Sequence, residues 1–165
     1  MVKPFQVVAM GGTFDEIHAG HIALLSKAFE KGKKVIIGIS SDSFADRSKG
    51  KNKINHNYEE RVANLKQAIN TKFGPVIYEI TKLDNEYGPA ANSAMLNALV
   101  ASSETAEKIN GLNKIRRENG LMPIELIVVD MIRAEDGEPI SSSRIRAGEI
   151  NSSGKLLRVK TRKLE

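Results

Sequence analysis

Short apolar runs alternate with longer stretches of helical spacing along the chain. Five runs rich in β-branched residues are predicted as strands: Phe5–Met10, Lys34–Ser40, Val76–Ile80, Ala98–Ser102 and Glu125–Asp130. Several are apolar at successive positions, as in strands that are buried on both faces of a parallel sheet. The order β-α-β-α-β-α-β-α-β therefore predicts an α/β fold with an open, parallel, five-stranded sheet and helices on both faces.

Apolar residues recur at helical spacing in three segments between the strands. The three sets are Ile22, Leu25 and Phe29; Val62, Leu65 and Ile69; and Ile109, Leu112 and Ile115. Ser103 is predicted to cap the start of the last of these helices. By contrast, Ser41–Asn57 is polar, rich in Lys and without clear periodicity. We expect that segment to form a mobile loop after the second strand.

The composition indicates a soluble globular chain of one domain. It has 165 residues, of which 41% are hydrophobic and 27% charged. Its apolar runs are far shorter than the roughly 20 residues of a membrane span. The N-terminal residues lack the pattern of a secretory signal, so a cytoplasmic location is expected. The absence of Cys excludes disulfides, thiolate metal sites and Cys nucleophiles.

Much of the net charge of +5 lies in residues 151–165, which we separate as a basic tail from a domain at residues 1–150. The tail carries five cations against Glu165, a net charge of +4: Lys155, Arg158, Lys160, Arg162 and Lys163. A solvated tail is the favoured interpretation, and an arm that binds RNA or phosphate is the alternative. No aromatic residues are interleaved with the charges, so nucleic acid is not an expected partner.

The first strand runs into Gly11–His21, a glycine-rich turn before a helix. Gly11 and Gly12 allow backbone N–H groups to approach an anion, and the helix directs its positive end to the same place. The turn matches neither the G-x-G-x-x-G nor the P-loop pattern. His18 and His21 add two ring N–H donors, which suit phosphoryl or nucleotidyl transfer.

Two other interpretations of the histidine pair are open. A zinc site normally needs three or four protein ligands, and the chain offers only His56 besides the pair, so we expect no protein-bound metal. The alternative is a structural pair satisfied by local hydrogen bonds.

A second segment, Pro139–Arg146, brings serine hydroxyls and two Arg to a helix start, where they would bind an anion. An ordinary serine-capped surface helix is its alternative.

Together these segments resemble the two signatures of the HxGH nucleotidyltransferase superfamily. Gly12-Thr13-Phe14-Asp15 followed by His18-Ala19-Gly20-His21 is similar to its GTFD…HxGH motif, and Ile140–Arg146 to its second motif. The resemblance implies a Rossmann-like core that transfers a nucleotide from a bound triphosphate. The implied ATP-binding residues are Gly12, His18, His21, Ser142, Ser143 and Arg146.

Blocks in the middle of the chain narrow the resemblance. Leu83–Ala90 and Ala98–Thr105 resemble those of the archaeal and eukaryotic type of phosphopantetheine adenylyltransferase, although Ser103 replaces a Glu. That family moves AMP from ATP, with Mg²⁺, to 4′-phosphopantetheine, giving dephospho-coenzyme A and pyrophosphate. The resemblance implies that His18, His21 and Lys49 are catalytic. It implies further that Thr13, Lys49 and Arg61 bind the acceptor, with a surface salt bridge as the alternative for Arg61.

Three other functions remain open from the sequence. The first is a transferase of the same superfamily that acts on nicotinamide mononucleotide, FMN or glycerol 3-phosphate. The second is a non-catalytic module that binds a nucleotide or RNA, which would not need the whole set of transfer residues. The third, a fragment of an aminoacyl-tRNA synthetase, is disfavoured by the short length. We favour a monomer.

Overall fold

The chain is built on a five-stranded parallel sheet with the strand order β3-β2-β1-β4-β5. The computed structural model describes residues 2–49 and 54–157. The strands are β1 (Phe5–Gly12), β2 (Gly32–Ser40), β3 (Tyr78–Leu83), β4 (Ala98–Ser102) and β5 (Glu125–Val129). The helices are α1 (Ala19–Lys31), α2 (Asp42–Lys49), α3 (Tyr58–Phe73), α4 (Lys108–Glu118) and α5 (Ser142–Arg146), with a 3-10 helix at Gly88–Ala91.

Side chains of β1 alternate between the two faces of the sheet and so separate two cores. Val8 and Met10 pack in the larger core with the apolar sides of α1 and α3. Val7 and Ala9 pack in the smaller core, against Leu112 of α4. The open parallel sheet with helices on both faces, expected from the sequence, is confirmed.

The predicted loop Ser41–Asn57 is wrong over its first half, because residues 42–49 form α2. The missed helix has no buried apolar stripe like those of α1 and α3, but it starts with Asp42 at its positive end. Residues 50–53 of the predicted loop lie outside the described residues.

Three further details of the prediction need correction. Ser103 does not cap α4, because residues 103–107 form turns and the helix begins at Lys108. The third strand starts at Tyr78 instead of Val76 and runs to Leu83. The connection from β3 to β4, residues 84–97, is described throughout and contains the 3-10 helix in place of the predicted α-helix. Pro89 in its first turn favours such a short helix.

The start of the basic tail folds back on the domain. Ile150 forms an antiparallel bridge with Leu156, and Leu157 N–H donates to the Glu149 carbonyl. Residues 158–165, with most of the tail's cations, lie outside the described residues, so the division at residue 150 stays a prediction. Among the described residues, no helix has the length and apolar character needed to cross a membrane.

Candidate active site

The glycine-rich turn lies where the order of the strands reverses. β1 pairs with β2 on one side and with β4 on the other, and the chain leaves its carboxyl end at Gly12. In open α/β sheets, ligands bind in the crevice at this position. A cavity of about 800 Å³ opens there, between the turn, the start of α1 and helix α5. Gly12, Thr13, His18, His21 and Arg146 all line it.

The histidine pair is fixed by the start of α1. Nδ1 of His18 accepts a hydrogen bond from the Gly20 N–H at 3.0 Å, and Nδ1 of His21 accepts one from the His18 N–H at 3.2 Å. This reciprocal arrangement is a capping box in which imidazoles replace the usual hydroxyl and carboxylate. The rings are stacked, with centroids 3.8 Å apart. Local hydrogen bonds therefore do satisfy one nitrogen of each ring.

The same hydrogen bonds decide which ring nitrogen carries a proton. Because Nδ1 of each ring accepts, Nε2 is the N–H donor in the neutral form. Burial lowers the pKa of His18 to about 4, so this ring is neutral at pH 7. A neutral imidazole with a fixed Nε2–H can donate to a phosphoryl oxygen while capping its helix. The structural and functional interpretations of the pair are compatible.

Asp15 connects the turn to α5 and to the start of α3. Its buried carboxylate accepts hydrogen bonds from Arg146 Nη1 at 2.8 Å and from the backbone N–H groups of Asn55 and His56. Burial raises the pKa of this carboxyl, but these hydrogen bonds and one from the His56 ring outweigh it, so the net pKa lies below the ordinary value. Asp15 is therefore an anion that holds Arg146 at the edge of the cavity.

Asp15, Glu16 and His56 bring three potential metal-ligand atoms within 4.8 Å of one another. Each already has protein partners, since the Asp15 carboxylate accepts from Arg146 and His56, and Glu16 accepts from the Asn55 side chain at 2.8 Å. Burial lowers the pKa of His56, but Asp15 and the charge of Glu16 raise it more, which favours imidazolium over a metal-binding neutral ring. We assign no metal to this group.

The serines of α5 also have partners within the protein. Ser142 Oγ donates to the Glu16 carbonyl at 3.2 Å and so ties α5 to the glycine-rich turn. Ser143 Oγ lies 3.3 Å from the hydroxyl of Ser141, which caps α5. Arg144, for which the sequence analysis predicts no separate role, pairs with Asp136 and Glu149. Ser142 and Ser143 both line the large cavity.

Arg61 lies in a place that neither interpretation of the sequence anticipated. Its side chain is fully buried, so it is not a surface residue, although the Asp42 carboxylate with which it forms an ion pair is 51% exposed. The guanidinium donates to the carbonyl oxygens of Thr13 at 2.9 Å, Ser40 at 2.8 Å and His56 at 3.1 Å, and to the Asp42 carboxylate at 2.7 Å. We therefore reassign Arg61 from acceptor binding to holding the ends of β1 and β2 against α2 and α3.

Lys49, predicted to be catalytic and to bind the acceptor, is the last residue of α2. Its side chain lies outside the described part of the structure, so its role stays a prediction. The start of α2 is fixed by the contact of Asp42 with Arg61. Further along α2, Arg47 donates to the Asp84 carbonyl at 2.9 Å. The helix that carries Lys49 is thus tied through Arg61 to the ends of β1 and β2, and through Arg47 to the residue that follows β3.

A second cavity, of about 340 Å³, opens beside the first, and the sequence did not predict it. It is lined mainly by apolar residues of the central strands, the 3-10 helix and α4, including Ile36, Leu83, Tyr87, Leu99 and Leu112. The two cavities share Gly11, Gly12, Leu24, Ser102 and Thr105. The block Leu83–Ala90 did not indicate this cavity in the sequence, because the cavity forms only where the central strands, the 3-10 helix and α4 meet.

Comparison with known proteins decides the family. The model of the cytidylyltransferase-like family matches residues 9–148. The chain belongs to this family. The match covers the glycine-rich turn, all of α5 and, apart from Glu149, every residue that lines the two cavities, and it confirms the resemblance drawn from the two signatures.

Archaeal relatives cover almost the whole chain. A protein of Methanothermobacter thermautotrophicus named phosphopantetheine adenylyltransferase is 39% identical over 158 residues, 96% of this chain and 93% of the relative. A protein of the same name from Pyrococcus horikoshii is 42% identical over 155 residues, 93% of this chain and 96% of the relative. A solved structure from Archaeoglobus fulgidus, described as a protein with unknown function, has a TM-score of 0.67 at 33% identity and covers 76% of this chain and 90% of its own.

Proposed function

We propose that the chain transfers AMP from ATP to 4′-phosphopantetheine, giving dephospho-coenzyme A and pyrophosphate. One observation carries the chemistry: two stacked imidazoles, with Nδ1 of each held as an acceptor, line the cavity at the switch point of the sheet. The archaeal relatives named phosphopantetheine adenylyltransferase support the choice of acceptor. A cytoplasmic location and a monomeric state stay predictions.

In this reaction an oxygen of the acceptor phosphate attacks the α-phosphorus of ATP in line. The bond between that phosphorus and the bridging oxygen to the β-phosphorus breaks, and pyrophosphate leaves with the electron pair. The attacking phosphate is already an anion at neutral pH, so the site needs no strong general base. Its task is to position the two anions and to stabilise charge. We assign His18 as the Nε2–H donor to the α-phosphate, where a neutral imidazole with a pKa of about 4 stays a donor.

The pyrophosphate portion of ATP is assigned to the side of the cavity formed by α5. Arg146 offers a planar guanidinium there, and its contact with Asp15 holds it without covering all of its five N–H donors. His21 is assigned to the triphosphate with it. Ser142 and Ser143 line the same region, but their hydroxyls also hold α5 in place. Gly12 allows close approach of the phosphates to the backbone.

The acceptor is assigned to the boundary of the two cavities. Its phosphate would lie beside Thr13 and Lys49, and its long arm would extend past Gly11 and Gly12 into the apolar cavity. A cavity of about 340 Å³ lies in the range that ligand pockets occupy. Mg²⁺ is expected to accompany ATP, held by phosphate oxygens and water, because the Asp15 carboxylate at the turn is already occupied by protein donors.

The test is pyrophosphate release from ATP with Mg²⁺ and 4′-phosphopantetheine, with the product identified as dephospho-coenzyme A. Parallel reactions with nicotinamide mononucleotide, FMN and glycerol 3-phosphate, each with ATP and CTP, test the competing acceptors. Turnover with another acceptor alone would replace the substrate and keep the reaction class. The absence of turnover with every acceptor would reject the transferase and favour a nucleotide-binding module.

A further inference from the structure

Arg116 of α4 is a buried arginine whose role the mechanism does not use. Its side chain is 1% exposed. Nη1 donates to the carbonyl oxygens of Ala90 at 2.7 Å and Ser93 at 2.8 Å, and Nε donates to that of Met122 at 2.9 Å. Among the described residues these partners are all carbonyls, and no carboxylate neutralises the guanidinium.

Two of those carbonyls belong to the wall of the apolar cavity. Ala90 lies in the 3-10 helix and Ser93 follows it, and both line the cavity. Leu112, one turn before Arg116 on α4, lines it as well. Arg116 therefore sets the spacing between two parts of the same cavity: the wall formed by residues 88–93, and helix α4.

An apolar side chain would fill this position with less loss of solvation. Burying a guanidinium without an anionic partner costs free energy, and burial indeed lowers the pKa of Arg116. The planar fork of donors compensates by bonding three carbonyls at fixed angles, a geometry that a lysine ammonium does not reproduce. Such a group can hold residues 88–93 at a fixed distance from α4 although these residues line a cavity and are not packed on both sides by other side chains.

We infer that Arg116 is a positioning residue for the acceptor, because it holds the wall at residues 88–93 where the acceptor arm enters the apolar cavity. The inference rests on the proposed function for the identity of that arm. It goes beyond the proposed function because it assigns part of the affinity for the acceptor to a residue that is not placed in contact with any ligand. Ala90, Ser93 and Leu112 line the apolar cavity but not the larger cavity that is assigned to ATP. Arg116 should therefore affect the acceptor and not the nucleotide.

The central experiment is the substitution Arg116→Lys, with steady-state kinetics for both substrates. We expect the KM for 4′-phosphopantetheine to rise about tenfold, while the KM for ATP and kcat change by less than about twofold. A loss of binding that is equal in the ground and transition states raises KM alone. Calorimetric titration of the acceptor into the protein should show the same loss of affinity without any turnover.

Two further substitutions control for damage to the fold. Asn119→Ala removes an exposed amide that donates to the Ala91 carbonyl at 3.3 Å, so it loosens the same wall more gently. It should raise the acceptor KM in the same direction, by about two- to threefold, even if Arg116→Lys fails to fold. Arg117→Ala removes an exposed cation next to Arg116 and should leave both KM values unchanged.

The outcomes separate this inference from the proposed function. Equal losses of ATP and acceptor affinity in Arg116→Lys, or an unchanged acceptor KM in a folded Arg116→Lys or in Asn119→Ala, would overturn the positioning role. A wild-type protein that binds no 4′-phosphopantetheine would instead reject the proposed substrate. The same comparison is then made with the acceptor that does turn over, and if none does, both proposals fail.

Discussion

Arg146 donates from Nη1 to Oδ2 of Asp15 at 2.8 Å, across 131 positions of sequence. The pair joins the two signature segments, since Asp15 belongs to the glycine-rich turn and Arg146 to α5. Both side chains are largely buried, at 1% and 12% exposure. A phosphate-binding arginine that is pre-oriented by a carboxylate loses less conformational entropy when ATP binds.

Replacing Asp15 with Asn should weaken both the fold and the binding of ATP. The amide keeps the shape but removes the charge that faces Arg146 and the ring of His56, and it turns an NH₂ group toward donors. We expect a loss of about 2–4 kcal/mol in the free energy of unfolding and a raised KM for ATP. Urea unfolding followed by circular dichroism, together with steady-state kinetics, measures both.

Glu16→Gln is the matched control for this substitution. Glu16 is the next residue, carries the same charge and accepts one described side-chain hydrogen bond, from Asn55. The Glu16→Gln variant should lose less than about 1 kcal/mol in the free energy of unfolding. If Asp15→Asn were no more damaging than Glu16→Gln, the carboxylate would have no special part in orienting Arg146.

His18→Ala should lower kcat while the fold persists. Loss of one donor to a developing charge typically costs about 10²–10³ in turnover. The substitution also removes the cap of α1, at about 1 kcal/mol, so His18→Asn is a needed comparison. Asn keeps an acceptor for the Gly20 N–H and should restore stability without restoring turnover. Full turnover in His18→Ala, measured by pyrophosphate release, would reject the catalytic assignment.

The fold was predictable because its signals are local. The apolar periods of α1 and α3 and the runs of β1 and β2 give the alternating pattern directly. Helix α2 was not predictable in the same way, because it is a short polar helix without a buried stripe. Tertiary contacts hold it, through Asp42 and Arg47.

The candidate site was predictable only where a motif is contiguous. His18 and His21 are three residues apart, so the sequence placed them together on the start of one helix. The contact between Asp15 and Arg146 joins separate motifs, and neither motif alone indicates it. The burial of Arg61 and Arg116 had no signal, because the backbone carbonyl oxygens that accept their hydrogen bonds are not visible in side-chain patterns.

Stability should depend on pH through His18. Its pKa is 6.5 in an unfolded chain and about 4 in the folded protein, because burial disfavours the imidazolium. Between those values the unfolded state binds a proton that the folded state does not. The contribution of His18 to the free energy of unfolding is therefore fully present above pH 6.5 and is lost as the pH falls toward 4. The change corresponds to roughly 3 kcal/mol at most.

His18→Asn isolates that contribution, since Asn does not titrate. Asp15, whose pKa is lowered in the folded protein, also loses stabilisation in acid, but it is present in both proteins. Urea unfolding of each protein at several pH values between 4 and 7 gives the difference. The wild type should lose more stability than the variant over this range, and parallel curves for the two proteins would contradict a buried, neutral His18.

Replacing Arg61 with Met should be among the most damaging single changes near the turn. Met has a similar length but no donors, so the carbonyl oxygens of Thr13 and Ser40 would lose their buried partner. We expect a loss of about 3–5 kcal/mol in the free energy of unfolding. Circular dichroism during urea unfolding measures it, and turnover of the folded fraction should fall because Thr13 is no longer held.

Asp42→Ala tells whether the carbonyls or the ion pair give Arg61 its importance. Asp42 contacts the same guanidinium at 2.7 Å, but its side chain is 51% exposed, so water can replace it. Its loss should cost less than about 1 kcal/mol. Arg61→Lys should fall between the two, because one ammonium reaches fewer carbonyls than a guanidinium fork. A loss in Asp42→Ala as large as that in Arg61→Met would mean that the salt bridge, and not the strand ends, is what Arg61 holds.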